Sequence, residues 1–224
     1  MGHLRRRLIA FDLDGTLVDS LRDLADSANQ LVTELGGQPV PEVEIGSMVG
    51  EGVAGLVRRA LSYAGLEEVP GALARFRQIY DLRLLRHTRP YPGIPEALRL
   101  ARELARLVVL TNKPIGPSER ILDALELRPL FDTVIGGDGA FPRKPEPASL
   151  LALMEDAAAV PSTTLLVGDS AIDHETAQRA VVRCCLAAYG FGYATFPAER
   201  LTGAEWIVSS ASELPAVFDE FRAG

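Results

Sequence analysis

Two aspartates, two residues apart, follow a short apolar run near the start of the chain. Leu8–Phe11 are four consecutive apolar residues, and Asp12 and Asp14 come next, followed by a Gly-Thr turn. Such a run predicts a buried strand of a parallel sheet, and open α/β sheets bind ligands at the carboxyl ends of their strands. Residues i and i+2 of an extended chain point the same way, so the two carboxylates repel unless a cation or a shared proton compensates. The pattern predicts a Mg²⁺-assisted site in which one aspartate is a nucleophile and the other carries a proton.

Two other interpretations fit the same short motif. A calcium loop needs Gly at its sixth position and Glu at its twelfth, whereas Gly15 stands fourth and no series of oxygen ligands follows. A strand that ends in solvated aspartates is the commoner arrangement. Residues farther along the chain decide between these interpretations.

Further polar groups are predicted at the same edge of the sheet. Thr111 and Asn112 follow an apolar run at 107–110, and Gly168-Asp169 end a second predicted strand at 164–167. Between them, Lys144 stands in a loop whose prolines restrict the backbone. Each group alone has an ordinary explanation as a turn or a helix cap. Their shared location at the carboxyl ends of parallel strands argues that they form one site.

The apolar pattern also predicts the elements that position these groups. Short apolar runs alternate with amphipathic stretches at helical spacing. The predicted core strands are 8–11, 107–110, 133–136, 164–167, 181–188 and 206–208. The predicted core helices run at about 94–106, 118–127, 148–158, 172–182 and 213–221. Strands that alternate with crossover helices are typical of a doubly wound, Rossmann-like parallel sheet, so we predict the α/β class.

A block of helices interrupts this alternation. The predicted helices of the block are 21–35, 52–64 and 72–85. Asp19 or Ser20 would cap the first of them, and no strand is predicted between Leu17 and Thr88. A helical block inside an α/β core indicates an inserted, all-helical cap subdomain. The predicted domains are a core of residues 1–16 and 88–224 and a helical cap of residues 17–87.

The bulk composition excludes several function classes. With 224 residues, 47% of them hydrophobic, the chain can form one α/β domain with an insertion. Its formal net charge of −7 argues against nonspecific binding to nucleic acid or to an anionic membrane. Asp12 ends the apolar run after Arg5–Arg7 too early for a secretory signal, and no apolar run approaches the length of a membrane span. We expect a cytoplasmic protein whose partner is a small molecule, and the pattern leaves its oligomeric state open.

The polar groups resemble, in order, the four motifs of the haloacid dehalogenase superfamily of phosphotransferases. The matching segments are Asp12-Leu13-Asp14-Gly15-Thr16, Thr111-Asn112, Lys144, and Gly168-Asp169-Ser170 with Asp173 four residues beyond the aspartate. The resemblance spans nearly the entire chain. It implies an α/β core with a helical cap inserted just after the first motif.

The resemblance also implies a role for each acidic residue. Asp12 would attack phosphorus and form an aspartyl phosphate, while Asp14 would protonate the leaving oxygen and then deprotonate the attacking water. Asp12, the main-chain carbonyl of Asp14, and Asp169 would bind Mg²⁺. Asp173 would lie behind these ligands, where it orients a water or pairs with Lys144.

The phosphoryl group would have ligands of its own. Thr111 and Asn112 would hydrogen-bond phosphoryl oxygens, and Lys144 would offset the negative charge of the nucleophile and the phosphate. The presence of Asp14 disfavours dehalogenation, because a halide leaving group needs no acid.

Within the superfamily, the chain is most similar to the phosphoglycolate phosphatases. The segments that carry this similarity are Met48–Gly52 leading to Arg59-Ala60-Leu61, Tyr91-Pro92-Gly93, Thr111-Asn112-Lys113-Pro114, Gly136-Gly137-Asp138 and Tyr189-Gly190-Phe191-Gly192. The similarity implies that Gly50, Glu51, Gly52 and Arg59 form a substrate loop on the cap. Arg58 and Arg59 would either steer an anionic substrate or lie on a solvated helix face.

Other activities stay open on the same residues. A phosphatase for another small substrate such as pyrophosphate or a nucleotide, or a sugar phosphomutase, would resemble this chain, although β-phosphoglucomutases usually have Val where Thr16 stands and carry an Arg-x-x-Ser cap element that is missing here. Glu146 and Val181-Val182 stand where phosphoglycolate phosphatases commonly have His and Ala-Gly. A phospho-accepting signalling module also phosphorylates an aspartate beside Mg²⁺, but such modules have neither the helical insertion nor a counterpart of Asp14.

Overall fold

Strands and helices alternate along residues 7–223, the part of the chain that this computed structural model describes. Arg5 and Arg6 of the basic cluster lie outside these residues. The strands, in chain order, are β1 (Leu8–Phe11), β2 (Val18–Asp19), β3 (Arg89–Pro90), β4 (Arg106–Leu110), β5 (Thr133–Ile135), β6 (Thr164–Gly168), β7 (Arg183–Ala187) and β8 (Trp206–Val208). The α-helices are α1 (Leu21–Glu34), α2 (Glu42–Met48), α3 (Val53–Tyr63), α4 (Ala72–Arg83), α5 (Ile94–Leu104), α6 (Ile115–Ala124), α7 (Ala148–Asp156), α8 (Ala171–Arg179) and α9 (Leu214–Ala223). None of the helices in this part of the chain is both long and apolar enough to cross a bilayer.

Six parallel strands form one sheet with β1 near its centre. The strand order is β5-β4-β1-β6-β7-β8, and β1 pairs with β4 on one side and β6 on the other. The chain leaves these three strands at the same edge of the sheet, directly before Asp12, Thr111 and Asp169. The predicted doubly wound α/β class is confirmed, and the predicted polar groups share one edge.

Helices cover both faces of the sheet. Ile9 and Phe11 join the apolar core that includes residues of α5 and α9, whereas Leu8 and Ala10 join the core that includes residues of α7 and α8. Successive residues of a strand point to opposite faces, so β1 contributes to both cores. All four side chains are fully buried, which explains why the run is continuously apolar rather than alternating.

Four helices, α1 to α4, are inserted between β2 and β3. α1 packs against α2, α3 and α4, and β2 pairs antiparallel with β3 where the insertion leaves and rejoins the core. Two expectations are wrong here: Val18–Asp19 is a strand although none was predicted between Leu17 and Thr88, and α2 was not predicted. Seven residues that include Gly46 are too few to produce a helical period in the sequence. The division into core and cap domains stays a prediction.

A buried carboxylate ties the end of the insertion to its first helix. Asp23 of α1 is fully buried and accepts hydrogen bonds from the backbone N–H groups of His87 and Thr88 at 2.9 and 2.8 Å. It also accepts one from the Thr88 hydroxyl at 2.8 Å. Because a buried carboxylate is costly unless hydrogen-bonded, these contacts fix the position at which the chain returns to the core.

The structure distinguishes between the two residues, Asp19 and Ser20, that were predicted to cap α1. Ser20 precedes the helix, but its hydroxyl donates to the Asp14 carboxylate at 2.6 Å and does not cap the helix. Asp19 instead accepts the N–H of Leu21 at 3.2 Å. The expected capping serine therefore belongs to the candidate site.

Candidate active site

A cavity of about 500 Å³ opens at the carboxyl ends of the central strands, between the sheet and the inserted helices. Its polar wall includes Asp12, Asp14, Thr111, Asn112, Lys113 and Asp169. Its apolar wall includes Leu24, Val49, Val53, Leu56 and Phe76 of the insertion. Groups that lie far apart in the sequence thus surround one space, because three parallel strands end together.

Asp12 belongs to a buried group of three carboxylates. Oxygen atoms of Asp12, Asp169 and Asp173 all lie within 4.8 Å of one another. The Lys144 ammonium lies 2.9 Å from Asp12 Oδ1 and 2.5 Å from Asp173 Oδ1. Asp173 thus pairs with Lys144, one of the two arrangements expected from the sequence. With all four groups ionised, three negative charges face one positive charge.

The electrostatics of this group fit a divalent cation. Burial raises the pKa of Asp12 to about 6; Lys144 opposes this rise and Asp173 adds to it. Burial likewise raises the pKa of Asp169 well above its ordinary value, with additions from Asp173 and Asp12. For Lys144, burial alone would lower the pKa, but the two adjacent carboxylates outweigh it and raise the pKa. Asp12 Oδ1 is buried beside the Lys144 ammonium without a well-directed hydrogen bond among residues 7–223, and a carboxylate oxygen with one close cation keeps a lone pair for an oxygen-ligated metal ion.

Glycines allow the main chain to pack tightly against Asp169. The Gly192 N–H donates to Asp169 Oδ2 at 2.7 Å. Gly15 has a φ of +82°, and a Cβ at this position would overlap the Asp169 carboxylate. The positive φ and the overlap with Asp169 both require a residue without a side chain at position 15, which explains the glycine that follows the two aspartates.

Asp14 lines the same cavity with different partners. Its carboxylate accepts the Ser20 hydroxyl, and the Lys113 ammonium lies 3.1 Å from each of its oxygens. It is not a member of the carboxylate group around Asp12. β1 ends before both aspartates, and the turn that follows, in which the Leu13 carbonyl accepts backbone N–H groups, directs the second carboxylate elsewhere. Asp12 and Asp14 therefore line the same cavity but contact different residues.

Lys113 and Tyr80 are parts of the site that the sequence interpretation missed. The Lys113 ammonium donates to the Tyr80 hydroxyl at 2.6 Å and lies 4.6 Å from the centre of its ring. Burial alone would lower the pKa of Lys113, but Asp14 and Tyr80 outweigh it and raise the pKa. Burial raises the pKa of Tyr80 to about 12. Adjacency to Thr111-Asn112 was a signal for Lys113, whereas Tyr80 fits the apolar face of a helix and carried none.

Thr111 and Asn112 lie where they were predicted, but the Asn112 side chain is already engaged. Its amide nitrogen donates to the backbone carbonyls of Gly50 at 2.8 Å and Lys144 at 2.9 Å, and its carbonyl oxygen accepts the N–H of Lys144 at 2.9 Å. Thr111 Oγ1 accepts the N–H of Lys113 at 3.2 Å. Asn112 thus joins the insertion to the lysine loop, and its backbone N–H is the group left for a ligand.

The predicted substrate loop reaches the cavity only in part. Gly50 and Gly52 line the cavity, whereas Glu51 is exposed and pairs with Arg59 at 3.1 Å. Arg59 does not line the cavity, and Arg58 is exposed. The two glycines bring the backbone of the insertion to the site, and the charged side chains lie away from it.

Comparisons with known proteins give one consistent result. Residues 9–187 match the family described as haloacid dehalogenase-like hydrolase. The phosphoglycolate phosphatase of Chromobacterium violaceum is 39% identical over 214 residues, which cover 93% of this chain and 94% of that protein. Phosphoglycolate phosphatase 1 of Pseudomonas aeruginosa is 38% identical over 195 residues, which cover 84% of this chain and 71% of that protein.

A solved structure gives the same result at the level of the fold. The crystal structure of a predicted phosphoglycolate phosphatase from Haemophilus somnus 129PT superposes with a TM-score of 0.86 at 30% identity. The alignment covers 96% of this chain and 99% of that one. The likeness therefore includes the insertion as well as the sheet.

Proposed function

Because the chain belongs to the haloacid dehalogenase-like hydrolase family, we propose that it is a Mg²⁺-dependent phosphatase whose substrate is 2-phosphoglycolate. The observation that carries the chemistry is the separation of the two aspartates into different environments within one cavity. The substrate is supported by the names of relatives that are 38% and 39% identical over most of this chain.

The two environments match the two roles that a double displacement needs, a nucleophile and a group that gives and then takes a proton. Asp12, beside the Lys144 ammonium, attacks phosphorus through a carboxylate oxygen, and the bond from phosphorus to the ester oxygen breaks. Asp14 gives its proton to that ester oxygen, which leaves as the hydroxyl of glycolate. Asp14 then takes a proton from water, which attacks the phosphorus of the aspartyl phosphate and releases inorganic phosphate and Asp12. For the first step, Asp14 must carry a proton while it lies beside Ser20 and Lys113.

The buried carboxylates of Asp12 and Asp169, together with the main-chain carbonyl of Asp14, are the proposed Mg²⁺ ligands. When bound, the ion neutralises charge on the transferring phosphoryl group. Asp173 holds Lys144, and Lys144 faces the nucleophile. The Thr111 hydroxyl and the Asn112 backbone N–H are the proposed donors to phosphoryl oxygens, because the Asn112 amide is occupied by Gly50 and Lys144.

A panel of phosphate esters tests this function directly. Purified protein is assayed for phosphate release from 2-phosphoglycolate, pyrophosphate, AMP and glucose 1-phosphate, with Mg²⁺ and with EDTA. We expect the highest kcat/KM for 2-phosphoglycolate, loss of turnover in EDTA, and no turnover by Asp12→Asn. Asp81→Asn is a matched control, because this carboxylate lies at the cavity wall but pairs with Arg120 at 2.7 Å, and it should retain turnover.

Three outcomes would contradict the proposal. Turnover of none of the esters would exclude a phosphatase of small metabolites, and unimpaired turnover by Asp12→Asn would exclude the nucleophile. A long-lived phosphoprotein without continued phosphate release would instead indicate a phospho-accepting signalling module.

The setting of the reaction is part of the same proposal. We place the enzyme in the cytoplasm with a small phosphorylated metabolite as its partner and without nucleic acid or membrane as a ligand. The net charge of −7 supports this, because a polyanion would be repelled. Fractionation of cells that express a tagged chain tests the location.

A further inference from the structure

Lys113 presents a buried ammonium group beside Asp14 at the wall of the cavity. We propose that Lys113 binds the carboxylate of the substrate and so selects phosphate esters that carry a second anionic group close to the ester oxygen. The inference rests on the proposed phosphatase function and names the residue that determines its substrate class.

The charges around the cavity require such a group. Five carboxylates line it, those of Asp12, Asp14, Asp81, Asp138 and Asp169. Among residues 7–223, the lysine and arginine side chains at its wall are Lys113 and Arg77. A substrate carboxylate placed among these acids without a cation would be repelled, since like charges are costly where water is excluded. Lys144 does not line the cavity, because it lies between Asp12 and Asp173.

The short link between the ester oxygen and the carboxylate of the substrate places this carboxylate near Lys113. The ester oxygen must come within hydrogen-bond reach of Asp14 to receive a proton. In 2-phosphoglycolate the carboxyl carbon is only two bonds from that oxygen. Lys113 Nζ lies 3.1 Å from both Asp14 oxygens, so a carboxylate attached in this way comes within reach of the same ammonium. Arg77, by contrast, is an exposed residue of α4.

Tyr80 holds the ammonium in this position. Its hydroxyl accepts a hydrogen bond from Lys113 Nζ at 2.6 Å, and its ring packs on Phe76 with the ring centres 5.8 Å apart. A lysine side chain normally loses much conformational entropy when it binds an anion. Here the side chain is 5% exposed and already held by Asp14 and Tyr80, which lowers that cost.

The test compares two esters of similar size, 2-phosphoglycolate and ethyl phosphate, which has no carboxylate. We expect wild-type protein to prefer 2-phosphoglycolate, and Lys113→Met to lower the ratio of the two kcat/KM values about tenfold to a hundredfold, the range for a lost charge-assisted hydrogen bond. Much of the change should appear in KM for 2-phosphoglycolate. If Lys113→Met slows both esters by the same factor, Lys113 only positions Asp14 and the inference is wrong.

Arg77→Met is the comparison variant, because it removes the other cation of the cavity wall. Selectivity that depends on Arg77 rather than on Lys113 would overturn the inference. A wild-type protein that hydrolyses both esters equally would also overturn it while leaving the phosphatase function intact. A wild-type protein that hydrolyses neither ester would overturn the proposed function and the inference with it.

Inhibition of the wild-type protein provides a measurement that does not depend on how a variant folds. Glycolate and its neutral analogue glycolamide are compared as inhibitors in the presence of Mg²⁺, with 4-nitrophenyl phosphate as the reporter substrate. We expect glycolate to inhibit the wild-type protein at least tenfold more strongly than glycolamide. Equal inhibition by the two compounds would contradict a carboxylate site.

Discussion

Replacing Asp14 by Asn separates proton transfer from metal binding. The Asp14 carboxylate contacts Ser20 and Lys113, whereas the carboxylates of Asp12 and Asp169 lie together in a different group. Asparagine has nearly the same shape, and its carbonyl oxygen can still accept a hydrogen bond from Lys113, but it cannot give up or take a proton at neutral pH. The substitution therefore removes the acid and base and leaves the proposed metal carboxylates in place.

The expected loss follows from the chemistry of a positioned acid and base. We expect kcat for 2-phosphoglycolate to fall about 10²- to 10⁴-fold, which corresponds to ~3–6 kcal/mol of activation free energy at about 1.4 kcal/mol per tenfold change. An ester with a good leaving group, 4-nitrophenyl phosphate, needs no acid in the first step. Its second step still needs a base to activate water, so the aspartyl phosphate on Asp12 should accumulate in Asp14→Asn.

Rapid mixing of Asp14→Asn with 4-nitrophenyl phosphate measures this accumulation. We expect a burst of nitrophenolate close to one per active site, followed by slow release of phosphate. The matched control is Asp169→Asn, which should lose Mg²⁺ affinity in a calorimetric titration while Asp14→Asn largely retains it. Unchanged turnover of 2-phosphoglycolate by Asp14→Asn, or a loss of Mg²⁺ affinity equal to that of Asp169→Asn, would refute the division of roles.

Three further predictions concern stability. In metal-free protein the folded-state pKa of Asp12 is about 6 against an ordinary 3.8, so protonation favours the folded state, and the free energy of unfolding should fall by up to ~3 kcal/mol as the pH rises from about 4 to about 6. Urea unfolding in EDTA measures this fall; Asp12→Asn should reduce it, and stability that rises over the same range would contradict it. Asn112→Asp places a carboxylate against two carbonyl oxygens and should destabilise the protein by ~1–3 kcal/mol more than Asn112→Ala, whereas equal midpoints in denaturant would show that the Asn112 hydrogen bonds contribute little. Asp23→Ala leaves two backbone N–H groups and the Thr88 hydroxyl without an acceptor and should lower the free energy of unfolding by about 3 kcal/mol; a loss below about 1 kcal/mol would mean that water replaces the carboxylate.

The strands of the core were predictable because their signal is local. Leu8–Phe11 and residues 165–167 are continuously apolar since both faces of the sheet are covered, and the buried run ends where the site begins. Helix ends that are fixed by contacts with distant residues were not predictable in this way. α6 begins at Ile115, earlier than the apolar spacing suggested, and the N–H of Ile115 is bound by the distant Asp138 carboxylate at 2.8 Å.

The sequence by itself determined which groups reach the edge of the sheet. Asp12, Thr111 and Asp169 each follow an apolar run, and parallel strands must end together, so their convergence was implied before any coordinates. It also identified Lys144 and Asp173 through their family motifs, and the structure joins these two as an ion pair.

Only the tertiary structure decided how the two neighbouring aspartates differ. Alternation along a strand predicts that residues i and i+2 share a side, but β1 ends at Phe11, so the rule no longer applies to Asp14. What separates the two carboxylates is a set of contacts from distant parts of the chain: Lys144 beside Asp12, and Lys113 with Tyr80 beside Asp14. Such contacts depend on how the inserted helices lie over the sheet, and no local pattern in the sequence encodes that arrangement.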